Sequence, residues 1–189
     1  MDNVLMIVSG PSGVGKGTLV KRLIRERADV TECITCTTRA PRAGEVHGRE
    51  YFFLTKEEFE KRIAEQGFLE YDKHFDNYYG TPKDFVEETL REKSVVLEID
   101  VVGALNAKKV YPDCVLVMVA PPSKEELAQR LKGRGTETDE EISRRLSRLE
   151  YELSQGDKYD YVLVNDCLEE AYRRLCEIVD EEKNKRKRR

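Results

Sequence analysis

Residues 4–18 read VLMIVSGPSGVGKGT, an apolar run followed by a loop that contains four glycines. The apolar run has the composition of a buried strand, and a helical pattern follows from Gly15 to Arg27. The spacing of a glycine, four residues and Gly-Lys between a strand and a helix is typical of a phosphate-binding loop. Its glycines let successive backbone N–H groups turn toward one anion, and the helix N-terminus adds partial positive charge.

The loop predicts a binding site for the phosphates of ATP. Its predicted binding residues are Gly10, Pro11, Ser12, Gly13, Val14, Gly15, Lys16, Gly17 and Thr18. Lys16 is expected to reach the outer phosphates. Position 17, where the common motif has Ser or Thr for magnesium, is Gly, and Thr18 follows it. No direct protein ligand is therefore predicted for Mg²⁺, which is expected to be held by the phosphates and water. A glycine-rich turn with a chance lysine is disfavoured because the strand and helix both lie where the motif requires them.

Strand-like runs followed by helical patterns recur at residues 95–99, 114–120 and 161–164. Runs that are apolar on both faces imply a mostly parallel sheet with helices on both sides. The predicted fold class is therefore α/β, of the P-loop NTPase type. The predicted organisation is a single domain with a core over 1–30, 94–122 and 155–182, an acceptor-binding insertion at 31–93, a helical lid at 123–154 and a basic tail at 183–189.

Several helix starts are marked by local sequence. Capping boxes are predicted at residues 55–58, 123–126 and 138–141, where Ser or Thr is followed three residues later by Glu. Thr81 and Pro82 predict another start, with Thr81 as the cap and Pro82 at the first helical position.

The composition limits the compartments and partners that can be expected for this chain. The chain has 189 residues, of which 39 % are apolar and 37 % charged, and its net charge is −4. No apolar run approaches the ~20 residues of a membrane span, and five scattered cysteines do not suggest a disulfide framework. A cytoplasmic protein without membrane or nucleic-acid partners is expected. The last seven residues carry six positive charges, and this tail is interpreted as a solvated, disordered end, with nucleic-acid contact or nuclear import as the minor alternative.

A second group of motifs lies between the first helix and residue 103. It comprises TTRAPRAGE (37–45), GREY (48–51), FLEY (68–71), NYYGTP (77–82) and LEIDVVG (97–103). Two arginines three residues apart suit the oxygens of a phosphate. With these motifs the chain resembles the guanylate kinases, and the resemblance extends from the phosphate loop to Asn165 and Asp166.

The resemblance implies transfer of a phosphoryl group from ATP to GMP, and also to dGMP, with Mg²⁺, in purine nucleotide metabolism. It implies that the acceptor's phosphate is bound by Arg39, Arg42, Tyr51 and Tyr79. It implies that guanine is read by Glu70, Thr81, Asp100 and Thr35. The family usually has Ser at the position of Thr35, and Thr retains the hydroxyl group.

The chemistry of the residues supports this reading independently. Guanine presents N1–H and an amino group side by side, and the carboxylate of Glu70 can accept from both. Adenine offers a lone pair at N1 and should be rejected, since the wrong base leaves buried groups unpaired. Glu98 and Asp100 point to the same face of a strand at its C-terminal end, where ligands of parallel sheets bind. Both are assigned to the acceptor site, and either can order the waters of magnesium.

The resemblance also covers the donor side. It assigns Asn165 to ATP binding and matches Arg130, Arg134 and Arg145 to the family's lid arginines, whereas Arg144 and Arg148 have no such match. The catalytic residues are predicted to be Lys16, Arg39, Arg134 and Arg145.

Two other functions remain open from the sequence. A related kinase acting on another small phosphorylated acceptor would keep the loop but lose the guanine contacts, and Glu70 counts against it. A guanylate-kinase-like interaction module typically lacks a working phosphate loop, and Lys16 counts against that reading. The oligomeric state is left undetermined.

Overall fold

The computed structural model describes residues 2–74, 76–133 and 139–188, and the side chains of residues 130–133 and 139–145 are not among those it describes. The strands are β1 (Leu5–Ser9), β2 (Val30–Glu32), β3 (Cys36–Thr37), β4 (Phe52–Phe53), β5 (Phe68–His74), β6 (Asn77–Pro82), β7 (Ser94–Glu98), β8 (Val115–Ala120) and β9 (Tyr161–Val164). The helices are α1 (Lys16–Glu26), α2 (Lys56–Ala64), α3 (Lys83–Thr89), α4 (Val101–Val110), α5 (Lys124–Gly133), α6 (Asp139–Ser154) and α7 (Leu168–Lys187), with a short 3₁₀ helix at Gly156–Lys158. Over these described residues, none of the helices combines the length and the apolar character that crossing a bilayer demands.

The central sheet has five parallel strands in the order β2-β7-β1-β8-β9. All five residues of β1 are buried, which is why this strand occupies the middle of the sheet. Met6 and Val8 pack on one side with Leu19 of α1, and Leu5 packs on the other with Ala104 of α4. The predicted fold class is therefore confirmed.

A second sheet forms within the predicted insertion and has the strand order β4-β3-β6-β5. Phe59 and Phe68 stack on each other in a small core beneath it. Strands β5 and β6 are antiparallel, and β5 packs against α4. The insertion's first residues, 31 and 32, instead belong to β2 of the central sheet. The second sheet thus lies beside the C-terminal end of β7, where α4 begins.

The capping box predicted at Thr55 has both of its expected hydrogen bonds, and the one predicted at Ser123 has its side-chain cap. Thr55 Oγ1 accepts from the backbone N–H of Glu58 at 3.1 Å, and the Glu58 carboxylate accepts from the backbone N–H of Thr55 at 2.7 Å. Ser123 Oγ accepts from the backbone N–H of Glu126 at 3.0 Å. The third box begins at residue 138, outside the described residues.

The predicted start of α3 is wrong by one residue. The helix begins at Lys83, with Pro82 preceding it as the N-cap residue. Thr81 belongs to β6, and its hydroxyl group donates to Glu70 on the neighbouring strand. A tertiary hydrogen bond thus replaces the local cap that the sequence suggested.

The prediction of a disordered tail is also wrong, because α7 continues to Lys187. Lys183 Nζ lies 2.7 Å from the carboxylate of Asp29. Arg186 donates to the backbone carbonyl oxygens of Asn3 and Asp113. Positive charge at a helix C-terminus is also favoured by the helix dipole. The basic end of the chain therefore ties α7 to the loops at the N-terminal edge of the central sheet.

Deleting residues 183–189 should lower thermal stability without changing turnover. Loss of the Lys183 ion pair and the Arg186 hydrogen bonds is expected to cost roughly 1–2 kcal/mol, which corresponds to about 2–8 °C in Tm for a domain of this size. Differential scanning calorimetry and a kinase assay at 25 °C check both parts. The matched control is the double substitution of the exposed Lys187 and Arg188 by Ala, and an equal loss of Tm in that control would contradict the assignment.

Candidate active site

The glycine-rich loop lies between β1 and α1 and packs directly on β8. Gly10 has φ 132°, and a Cβ atom at this position would overlap the carbonyl oxygen of Val119, so only glycine fits. Lys16 Nζ donates to the carbonyl oxygens of Gly10 at 2.6 Å and Pro11 at 2.8 Å. The ammonium group of Lys16 is thus held against the start of the loop.

Asn165 braces the loop from the C-terminal end of β9. Its buried side-chain amide donates to the carbonyl oxygen of Val14 at 2.7 Å. Gly15 has φ 94°, and a Cβ atom there would lie 2.5 Å from Asn165 Nδ2. The sequence predicts that Asn165 binds ATP. In the structure its amide is hydrogen-bonded to the backbone of the phosphate loop.

Glu98, the last residue of β7, approaches the loop at Gly17. A Cβ atom on Gly17 would lie 3.2 Å from Glu98 Oε2, so glycine leaves room for this carboxylate. Partial burial raises the pKa of Glu98, and attraction to Lys16 opposes that rise. The structure therefore places a carboxylate oxygen beside the position where the common motif carries a hydroxyl. Such an oxygen donor suits a hydrated Mg²⁺.

A cavity of about 860 Å³ lies between the second sheet and the start of α4. Of the nine residues predicted to bind the acceptor, eight line it: Thr35, Arg39, Arg42, Tyr51, Glu70, Tyr79, Glu98 and Asp100. The ninth, Thr81, is fully buried behind the cavity wall.

The first part of the cavity, termed here the carboxylate end, contains Glu70 and Asp100. Both approach Gly103, where a Cβ atom would lie 3.4 Å from Glu70 Oε2 and 3.5 Å from Asp100 Oδ1. Asp100 Oδ1 also caps α4 by accepting from the Gly103 N–H at 2.7 Å. Burial raises the pKa of Glu70, and the negative charge of Asp100 raises it further. The hydroxyl of Thr81 opposes this rise by donating to Glu70 Oε1 at 2.6 Å.

The second part, termed the arginine end, contains Arg39, Arg42, Tyr51 and Tyr79. Arg39 Nη2 donates to both carboxylate oxygens of Glu45 at 2.9 Å, and its guanidinium lies 5.6 Å from the centre of the Tyr51 ring. The rings of Tyr51 and Tyr79 meet edge to face at 6.2 Å. Arg39 is therefore oriented before any ligand arrives, and Arg42 remains exposed beside it.

Several residues of the site were not assigned from the sequence. Glu45 orients Arg39, and Asp72, His74 and Arg148 also line the cavity. The alternation of a strand starting from Glu70 could have identified Asp72 and His74, because residues two apart share a face. Arg148 carries no comparable local signal, since its place in the cavity depends on how α6 packs.

The predicted lid arginines fall outside what the structure describes. Arg134 lies outside the described residues, and the side chains of Arg130 and Arg145 do as well. Their assignment to the phosphates stays a prediction.

A parallel sheet whose central strand leads into a glycine-rich loop and helix defines the class of P-loop nucleotide-binding proteins. Comparison with known proteins narrows this class. The guanylate kinase family model matches residues 2–182. The guanylate kinase of Caldanaerobacter subterraneus subsp. tengcongensis is 49 % identical over 183 residues, which cover 96 % of this chain and 89 % of that protein. The guanylate kinase of a Synechocystis strain is 45 % identical over 94 % of each chain. The chain belongs to the guanylate kinase family.

One solved structure agrees with this family assignment, and a second agrees with the fold. The crystal structure of guanylate kinase from Anaplasma phagocytophilum matches with a TM-score of 0.70 and 31 % identity over 96 % of this chain and 86 % of that one. Shikimate kinase from Bacteroides thetaiotaomicron matches with a TM-score of 0.54 and 18 % identity, over 94 % of this chain and 98 % of that one, which indicates a shared fold alone.

Thr81→Val should weaken use of the acceptor through Glu70. Without the hydroxyl donor, the pKa of Glu70 rises further. On acidification, the Glu70 carboxylate is therefore protonated at a higher pH in the variant than in the wild type. We expect the acid limb of kcat/KM for the acceptor to move to higher pH, with a loss of roughly tenfold at pH 7. Thr81→Ser keeps the donor and serves as the matched control. Superimposable pH profiles for the Val and Ser variants would contradict this role.

Proposed function

We propose that the chain catalyses transfer of the terminal phosphoryl group of ATP to GMP and dGMP, giving ADP and the corresponding diphosphate. The observation that carries this proposal is one cavity with carboxylates at one end and arginines and tyrosines at the other, next to the phosphate loop. A nucleoside monophosphate has matching ends, namely a base with hydrogen-bond donors and a dianionic phosphate. Membership of the guanylate kinase family supports GMP as that acceptor.

The acceptor's base is proposed to bind at the carboxylate end. Guanine N1–H and its amino group both donate, and Glu70 and Asp100 are acceptors that lie against the same glycine. Thr81 is buried, so its proposed contribution is to hold Glu70 in place rather than to contact the base. Thr35 lines the same cavity and offers a hydroxyl to the acceptor.

The acceptor's phosphate is proposed to bind at the arginine end. One of its oxygens attacks the γ-phosphorus of ATP, the bond from that phosphorus to the β–γ bridging oxygen breaks, and ADP leaves. No covalent enzyme intermediate is needed, because positioning and charge neutralisation supply the acceleration. Lys16 would bind the outer phosphates, and Arg39 would neutralise the acceptor's phosphate.

Mg²⁺ is proposed as the cofactor of ATP, held by the phosphates and water. The residues that suit it are Glu98 beside Gly17 and Asp100 two residues further on, since both present carboxylate oxygens. Magnesium would supply charge neutralisation on the phosphates. On the donor side, the family resemblance adds Arg130, Arg134 and Arg145.

The test is a coupled assay of ATP consumption with GMP, dGMP, AMP, CMP, UMP and no acceptor. We expect turnover with the two guanine nucleotides to exceed that with AMP by orders of magnitude. Equal turnover with all acceptors, or none above the acceptor-free rate, would overturn the proposal. The second outcome would favour an interaction module.

Lys16→Ala should lower kcat by at least about 100-fold while leaving the fold intact. Its ammonium donates to the backbone carbonyl oxygens of Gly10 and Pro11 at the start of the phosphate loop, so its charge is expected to act on the phosphates. Circular dichroism establishes folding, and the coupled assay measures kcat. Turnover near that of the wild type in a folded variant would exclude Lys16 from phosphoryl transfer.

Glu70→Gln should impair GMP use and narrow the preference over AMP. The amide keeps the shape but removes one acceptor and points an NH₂ group at a guanine donor. Loss of a hydrogen bond to a charged group costs about 1.5–3 kcal/mol, or roughly 10–150-fold in kcat/KM. The same amide can pair with adenine's N1 and amino group. Measuring kcat/KM for GMP and AMP in both proteins decides the matter, and an unchanged ratio would show that Glu70 does not read the base.

A further inference from the structure

The wall of the cavity along β5 continues beyond Glu70 with two further ionisable side chains. Glu70, Asp72 and His74 alternate along the strand and all line the cavity. His74 Nε2 lies 3.3 Å from Asp72 Oδ2. The imidazole also meets the ring of Tyr79 edge to face, with 6.0 Å between the centroids. Asp72 and His74 therefore form an ion pair at the arginine end when His74 is protonated.

The register of β5 and β6 locates this pair relative to the acceptor. Glu70 is opposite Thr81, Asp72 is opposite Tyr79, and His74 is opposite Asn77. At about 3.3 Å per residue, Glu70 and His74 are some 13 Å apart along the strand. A nucleoside monophosphate bound at Glu70 through its base would thus extend its phosphate toward Tyr79, and so toward Asp72 and His74.

The net charge of Asp72 and His74 together depends on whether the imidazole of His74 carries a second proton. Asp72 alone places a negative charge near the proposed position of a phosphate dianion, which disfavours binding. Protonated His74 cancels that charge, and neutral His74 does not. The other charged or titratable groups facing this region are Tyr79 on β6, Arg39, Arg42 and Tyr51 on the neighbouring loops and strands, and Arg148 on α6.

We propose that Asp72 and His74 form part of the acceptor site, where the imidazolium of His74, held by Asp72, stabilises the phosphate of the bound monophosphate. This inference rests on the proposed function. Arginine side chains keep their charge at every working pH, whereas histidine is the residue type whose charge can change within the pH range of an enzyme assay. Acceptor affinity therefore contains a contribution that is present at low pH and is lost as His74 releases its proton.

The test compares KM for GMP in the wild type and in His74→Gln across pH. Both side chains are more than half exposed, so the effect of one charge is modest. At about pH 6 the variant's KM should exceed that of the wild type by about two- to fivefold. Near about pH 8.5, where imidazole is neutral, the ratio should approach one. The ionisation of GMP itself cancels in this ratio, because both proteins receive the same substrate.

Two further variants separate charge from structure. Asp72→Asn with His74→Gln removes both charges, so its KM relative to the wild type should change little at about pH 6. Lys73→Gln is the matched control, because Lys73 lies between the pair on β5 with its ammonium over the ring of Tyr78, away from the cavity lining. It removes one charge from the same strand and should leave the pH dependence of KM unchanged.

A direct measurement uses the wild type alone. The imidazole NMR signals at a fixed pH of about 7 should show a larger protonated fraction of His74 with GMP than with guanosine, which lacks the phosphate, since binding and protonation are reciprocally linked. A pH-independent ratio of KM values, or an equal protonated fraction with both ligands, would overturn the inference. Absence of any GMP-dependent ATP consumption in the wild type would instead overturn the proposed function.

Discussion

The close approach of Gly10 to the carbonyl oxygen of Val119 fixes the geometry on which the site depends. Only a residue without a Cβ atom permits this contact, and it seats the start of the phosphate loop directly on the central sheet. The amide of Asn165 secures the other side of the loop through Val14. With both sides held, the carbonyl oxygens of Gly10 and Pro11 are in place to accept from the ammonium of Lys16. The position of this charge therefore depends on how the loop packs on the central sheet.

The arginine end of the cavity is fixed by a different means, namely paired charges and aromatic contacts on a small sheet. Arg39 is held by Glu45 and lies beside Tyr51, so its guanidinium does not need to find its orientation when a ligand binds. Preorganisation of this kind reduces the conformational entropy lost on binding. Because β5 also packs against α4, the same small sheet brings the carboxylate end next to the loop.

Those parts of the molecule that depend on local sequence could be predicted from it. The bounds of β9 follow from its apolar pattern, and the capping box at Thr55 follows from two residues three apart. Features that depend on contacts distant in sequence could not be predicted. Thr81 looks like a helix cap, but it donates to Glu70 on the neighbouring strand. Lys183 looks like part of a disordered tail, but it pairs with Asp29 at the other end of the chain.

The carboxylate end shows why base choice and charge are connected. Glu70 and Asp100 lie against one glycine, and the charge of Asp100 adds to the free energy of ionising the buried Glu70. Thr81 offsets part of this repulsion for Glu70, but it supplies a single donor. A ligand that brings two further donors lowers the free energy of both carboxylates at once. A ligand that presents a lone pair to these carboxylates adds to the repulsion. A base with adjacent donors would stabilise the buried Glu70 carboxylate, which is the physical reason for expecting selectivity at this end of the cavity.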